Sequence, residues 1–166
     1  MRELVLDVAV DADKALLWRD DRLYLLDQRQ LPEREVFVEC VDAATTAEAI
    51  RAMVVRGAPA IGIAAAYGVA LAAAGRRARG SADWRADLER DLATLAAARP
   101  TAVNLSWAVG HARVLLAANE GDDVVDDLRS WALDLHRRDR EDNRRMGGFG
   151  AALIDGPRGV ITHCNT

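Results

Sequence analysis

A chain of 166 residues that is 51% hydrophobic and 29% charged has enough apolar material for one packed core, which excludes an intrinsically disordered polymer. Its net charge of −4 argues against bulk binding to nucleic acid or to an anionic membrane. Two cysteines far apart in sequence, Cys40 and Cys164, and charged residues at Arg2, Glu3 and Asp7 where a secretory signal needs an apolar run, point to a cytoplasmic protein with free thiols.

In chain order, residues 14–18 and 22–26 read as two strands joined by a hairpin turn at Asp20-Asp21. Residues 35–40 follow Pro32 and alternate as a third strand, with Val36, Val38 and Cys40 set against Phe37 and Glu39. Helices then take over. Thr45 and Glu48 have the spacing of a capping box, followed by an apolar stripe of Ala49, Ile50, Met53 and Val54. Pro59 suits the opening of a helix over residues 59–74, which is apolar on every side and must be buried all round, with Gly75 ending it. The run 58–75 comes closest to the ~18 apolar residues of a membrane span, but its Ala and Gly content suits a packed helix. Ser81 is placed to cap the next helix, with Trp84, Leu88, Leu92 and Leu95 facing inward, and Arg99-Pro100 stops it. Residues 103–119 form another apolar helix. After Gly121 a long one begins, and Val124, Leu128, Trp131, Leu135, Met146, Phe149 and Leu153 keep to one face. Asp139 and Asp142 fall on the same stripe, as buried polar anchors or through a slight rotation of the face. The five arginines between 137 and 145 alternate with Asp139, Glu141 and Asp142, the pattern of a solvated face. Gly156-Pro157 turns into a final strand at 159–161.

Three constellations carry chemistry. In Arg56-Gly57-Ala58-Pro59-Ala60-Ile61-Gly62, a glycine turn before a helix start leaves backbone N–H groups free beside an arginine, which suits an anion. A tight helix–helix turn with an exposed arginine fits the same residues. Arg99-Pro100-Thr101-Ala102-Val103-Asn104 repeats the theme, with Thr101 available as a cap, and the two arginine-led helix starts can converge on one phosphate. Thr162-His163-Cys164-Asn165 brings a thiol to a strand end, where it is either a polarised nucleophile or a buried structural cysteine. His163 falls on the opposite strand face from Cys164, against a simple Cys–His pair. His111, His136 and His163 lack metal-ligand spacing, so no metal site is expected, and His111 and His136 read as helix-surface or core residues. No nucleotide-binding fingerprint is present.

These segments, with Leu25-Leu26-Asp27-Gln28-Arg29, Met53-Val54-Val55 and the terminal Thr166, together resemble the methylthioribose-1-phosphate isomerase family, in order and spacing, across essentially the whole chain. That family is similar to ribose-1,5-bisphosphate isomerases and to regulatory subunits of a translation-initiation exchange factor. The resemblance implies an α/β protein. Its small N-terminal β unit plus helical domain would cover residues 1–155, and the first strand of a Rossmann-like parallel sheet would start a catalytic domain at 156–166. It further implies a cofactor-free aldose–ketose isomerase of methionine salvage, a homodimer acting on a phosphorylated sugar, with no nucleic-acid or membrane partner. Carried over by motif, Arg56, Gly57, Ala58 and Arg99 contact substrate and Cys164 is the catalytic thiol. The family's general-acid aspartate lies beyond residue 166 and the final strand would lack parallel neighbours, so the chain alone is expected to be marginal, self-associating or inactive. Ribose-1,5-bisphosphate isomerisation and a non-catalytic regulatory role are the alternatives.

Overall fold

The helix that starts beside Pro59 has no polar face over its first four turns, so the other elements must enclose it. The computed structural model describes residues 2–80, 82–121, 123–156 and 159–161. It contains a four-stranded antiparallel sheet of β1 (Arg2–Leu4), β2 (Leu16–Arg19), β3 (Arg22–Leu26) and β4 (Phe37–Cys40), in the order β1-β4-β3-β2. Five helices follow: α1 (Ala43–Arg51), α2 (Ala58–Ala78), α3 (Trp84–Ala96), α4 (Val103–Ala118) and α5 (Val124–Ala151). Every residue of α2 from Ile61 to Ala73 is buried, against α1, α3, α4, α5 and β3. By length and composition α2 does reach what a membrane span needs, but its apolar surface is covered by protein.

The hairpin forms as expected, with Asp20 and Asp21 both left-handed at φ 52° and 53°, the geometry a two-residue turn between twisted strands requires. β2 starts two residues late because Ala12–Lys14 makes a 3-10 turn capped by the Asp11 carboxylate. β1 was not anticipated. Its pairing with Phe37–Glu39 makes β4 a central strand with both faces buried, and the buried Glu39 is compensated by Arg22 at 2.8 Å and Arg2 at 3.6 Å.

Several helix boundaries differ from the sequence reading. The capping box lies three residues earlier: Asp42 is the cap, accepting from the Thr45 N–H at 2.8 Å, while the Thr45 hydroxyl oxygen accepts from the Asp42 N–H at 3.3 Å. Glu48 pairs with Arg51 instead. α2 runs through Gly75, since its polar last turn is held by Arg76, which meets Asp91 of α3 at 2.7 Å. Thr101 does not cap α4, whose N-cap residue is Ala102, with no side-chain cap. α5 runs antiparallel to α2, so that Val125 lies by Ala74 and Leu135 by Pro59. Residues after about 140 therefore project beyond the start of α2. Met146, Phe149 and Leu153 are exposed there rather than packed, Asp139 is half-buried and Asp142 exposed. The arginine-rich stretch is solvated and internally paired, as Arg137 with Asp134 and Glu141, although Arg140 and Arg144 reach Asp13. Residues 159–161 form no strand and Ile161 is exposed. The Ser81 cap and residues 162–166, Cys164 among them, lie outside the described residues.

One polar contact crosses the core. The Tyr67 hydroxyl of α2 lies 2.9 Å from Nδ1 of His136 on α5, and Trp18 stacks on the Tyr67 ring at 4.8 Å. Burial pushes the phenol up to about 12 and holds the His136 imidazole below its ordinary 6.5, with Arg140 adding to the effect. A histidine kept neutral by the fold stabilises it above pH 6.5, and that contribution is lost as pH falls through the lowered native value. Thermal melting should therefore show Tm declining below pH 6.5, with a shallower slope in His136→Gln, which keeps a polar partner for Tyr67 but cannot be charged. An unchanged slope in that variant would contradict the assignment.

Candidate functional site

The loop between α1 and α2 is built around two residues with left-handed backbone. α1 closes with Val54 N–H bonded to the Ala49 carbonyl at 2.9 Å and Met53 N–H to Ile50 at 3.2 Å. That pattern usually places glycine where Met53 sits, and Met53 has φ 60°, a conformation costly for a long side chain. Gly57 at φ 91° then turns the chain into α2. The Val54 carbonyl accepts from the Gln28 N–H at 3.0 Å, which ties this loop to the one after β3.

That second loop is fixed by a buried charge. Asp27, fully buried, accepts from Arg29 Nε at 2.8 Å, Nη2 at 2.7 Å and the Arg29 N–H at 3.1 Å, and from Gln30 Nε2 at 2.9 Å. The Arg29 guanidinium holds the Asp27 carboxyl below the usual carboxylate range. The Leu25 to Arg29 segment is therefore structural, anchoring the strand-to-helix path that presents Arg56.

The two arginine-led helix starts come together. Met53, Arg56, Gly57, Ala58 and Ile61 from one side, and Arg99 with residues 101–104 from the other, line a cavity of about 330 Å³. At the start of α2 the first backbone bond is Ile61 N–H to the Gly57 carbonyl at 3.0 Å, so Ala58 and Ala60 N–H have no backbone partner among the described residues. At the start of α4, Leu105 and Ser106 both bond to the Ala102 carbonyl, leaving Val103 and Asn104 N–H likewise free. Neither helix start has a side-chain cap. Nor does the side chain of Arg56 or Arg99 have an ion-pair partner among the described residues, whereas Arg76 and Arg113 are locked to carboxylates. Two positive helix ends and two uncommitted guanidiniums around one cavity are suited to hold an anion.

What brings them together is Gly62, a residue without a role in the sequence reading. A Cβ there would meet the Asn104 carbonyl oxygen at 3.0 Å and the Asn104 Cβ at 3.1 Å, so glycine lets the first turns of α2 and α4 touch without displacing the Asn104 backbone. Met53 and Asn104 fell within the quoted sequence segments without a site role, the Asn104–Gly62 contact is new, and the left-handed backbone of Met53 had no sequence signal at all. The other candidates separate. Cys40 is buried beside Thr46 with its thiol pushed up to about 12 by burial, an inert packing residue. His111 stacks with Trp107 and lies tilted against Trp131, and the described residues contain no cluster of His, Cys, Asp and Glu suited to a metal ion. Cys164 lies outside the described residues.

Residues 54–166 match the Initiation factor 2 subunit family. Methylthioribose-1-phosphate isomerase of Alkalilimnicola ehrlichii is 53% identical over 156 residues, covering 94% of this chain and 45% of that protein. The enzyme of the same name from Stutzerimonas stutzeri is 51% identical over 171 residues, covering 100% of this chain and 47% of that protein. The chain thus spans about half the length of the curated relatives it matches. Among solved structures, 5-methylthioribose 1-phosphate isomerase from Pyrococcus horikoshii superposes with a TM-score of 0.77 at 32% identity, over 84% of this chain and 40% of that one. The delta subunit of translation initiation factor eIF-2B from A. fulgidus gives 0.67 at 38%, over 85% and 42%.

Two glycine substitutions separate the constraints. Gly62→Ala presses on the Asn104 backbone, which must give by a few tenths of an ångström, and should cost about 1–3 kcal/mol in urea unfolding and weaken phosphate binding measured by calorimetry. Gly57→Ala has open space around the added methyl, so its cost, about 1–2 kcal/mol, is confined to backbone strain.

Proposed function

Because the chain belongs to the Initiation factor 2 subunit family, we propose that its cleft is the phosphate-holding wall of an isomerase converting 5-methylthioribose 1-phosphate to 5-methylthioribulose 1-phosphate. The convergence of Arg56 and Arg99 on one cavity between two uncapped helix starts is the observation that carries this reading. The relatives' shared name supplies the sugar. Gly57 and Ala58 offer backbone without bulk, so the phosphate oxygens reach the Ala58 and Ala60 N–H groups, while the guanidiniums balance the dianion.

The substrate explains the demand on such a wall. A sugar esterified at C1 cannot open its ring as a free aldose does. The enzyme must assist cleavage of the bond between C1 and the ring oxygen, and hydrogen must then move from C2 to C1. Holding the phosphate fixes C1 and C2 against the catalytic group. In this reading that group is the Cys164 thiol. It takes the C2 proton and returns it to C1 in a proton route through an enediolate, or polarises the substrate in a hydride route. Residues 156–166 begin a Rossmann-like catalytic domain in the same reading, and the protein works as a cytoplasmic homodimer without cofactor.

The likeness to eIF-2B subunit delta supports a second reading, a non-catalytic subunit that keeps the fold and binds partners. Arg56, Arg99 and Cys164 together support the catalytic one. Assays of the full-length gene product with 5-methylthioribose 1-phosphate and ribose 1,5-bisphosphate side by side decide between the two sugars and the regulatory role. Arg56→Ala and Arg99→Ala should each lower kcat/KM about 10–100-fold, as expected for a lost charge-assisted bond. Cys164→Ala should lower kcat roughly 10²–10⁴-fold with the fold intact by circular dichroism. Full activity in Cys164→Ala removes the thiol from the mechanism.

A further inference from the structure

The anion cavity has a neighbour. A second hollow of about 80 Å³ lies against it, and Asn104 lines both. Pro59, Ile63, Trp107 and Leu135 give the smaller hollow an apolar wall, and Asp139 also lines it. The side-chain amide of Asn104 has no hydrogen-bond partner among the described residues, so a polar group stands uncommitted where the two hollows meet.

Trp107 is 51% exposed, yet its ring is not loose. It stacks on His111 with centroids 5.6 Å apart and planes 19° from parallel, and Trp131 of α5 approaches at 6.4 Å. A large aromatic held in place by two rings, with half its surface uncovered, is preorganised for an apolar ligand group. From the Val103 N–H to Trp107 is four residues of helix, about 6 Å of rise, comparable with the span between the C1 and C5 substituents of a pentose. The hollow also suits a methylthio group, whose two heavy atoms need roughly the share of two water molecules, ~60 Å³. Sulfur bound to carbon packs favourably on aromatic rings. The Asp139 carboxylate, in contrast, opposes a second phosphate at C5.

On the isomerase reading above, we propose that Trp107, with Asn104 beside it, forms the subsite for the 5-methylthio group and sets the preference for that substituent. The Asn104 amide meets the ribose hydroxyls between the two poles of the sugar. Trp107 acts on binding and selection and takes no part in the hydrogen transfer.

The test compares 5-methylthioribose 1-phosphate with ribose 1-phosphate, which keeps the phosphate and carries a hydroxyl at C5. Each is measured with the full-length gene product, by kcat/KM or, where turnover is undetectable, by inhibition constant. Trp107→Ala should reduce the wild-type preference for the methylthio sugar about 10-fold, with ribose 1-phosphate changed by no more than about threefold. Trp107→Phe should restore most of the preference. An equal fall for both sugars in Trp107→Ala, with preference kept, overturns the subsite and assigns Trp107 a structural role. Failure of the wild type to act on or bind either sugar overturns the isomerase reading, and this inference with it.

Discussion

Two helices whose first turns lie this close need a very small residue at the crossing. Here that requirement falls on Gly62, which meets the backbone and Cβ of Asn104. The contact sets where α2 and α4 begin relative to each other, and so places two unbonded sets of N–H groups around one cavity. Everything else that builds the cleft serves this crossing. α2 is enclosed by four helices and a strand, which leaves it no freedom to slide. The Arg99-to-Ala102 turn, closed by the Ala102 N–H to Arg99 carbonyl bond at 2.9 Å, delivers the second arginine at the start of α4.

Charge is distributed to the same end. Most surface arginines are neutralised by a nearby carboxylate: Arg137 by Asp134 and Glu141, Arg113 by Glu89, Arg76 by Asp91 and Asp87. A chain with net charge −4 would dilute any positive site if its cations were mobile and shared. Arg56 and Arg99 lack such a partner among the described residues, and the two helix ends beside them add to their positive potential. The buried Asp27–Arg29 pair works differently. It is a local clamp, and its value lies in fixing a loop that the Val54 carbonyl then uses as an abutment.

Local chemistry was legible in the sequence, and tertiary consequence was not. Asp20-Asp21 fixed the hairpin because short polar residues tolerate left-handed backbone. The all-apolar run after Pro59 could only be a central helix. Both arginine-led helix starts were visible as candidate anion sites because the chemistry resides within six or seven consecutive residues. Gly75 misled, since whether glycine ends a helix depends on what the next turn can reach, and Arg76 reaches Asp91. The capping box was misplaced because Asp42 and Thr45 are both good caps, and the choice between them is set by where β4 ends. Periodicity put Met146, Phe149 and Leu153 on the apolar face of α5 correctly, but a face does not reveal whether a neighbour covers it. β1 has three residues and no alternation to detect. Cys164 stood out by its place in the Thr162-His163-Cys164-Asn165 segment, but its catalytic role came from resemblance alone.

The junction at the start of α2 also has a dynamic meaning. From Ile61 to Ala73 the helix is buried against nearly every other element, so the amides there are released to solvent only when the whole domain opens. One residue earlier, Ala58 and Ala60 N–H have no backbone acceptor and need no unfolding to meet water or an anion. The most protected and the least protected backbone of the helix are thus adjacent in sequence. A ligand settling on those amides binds to a surface already ordered to the limit of the protein's global stability. It therefore has almost no conformational entropy of its host to overcome.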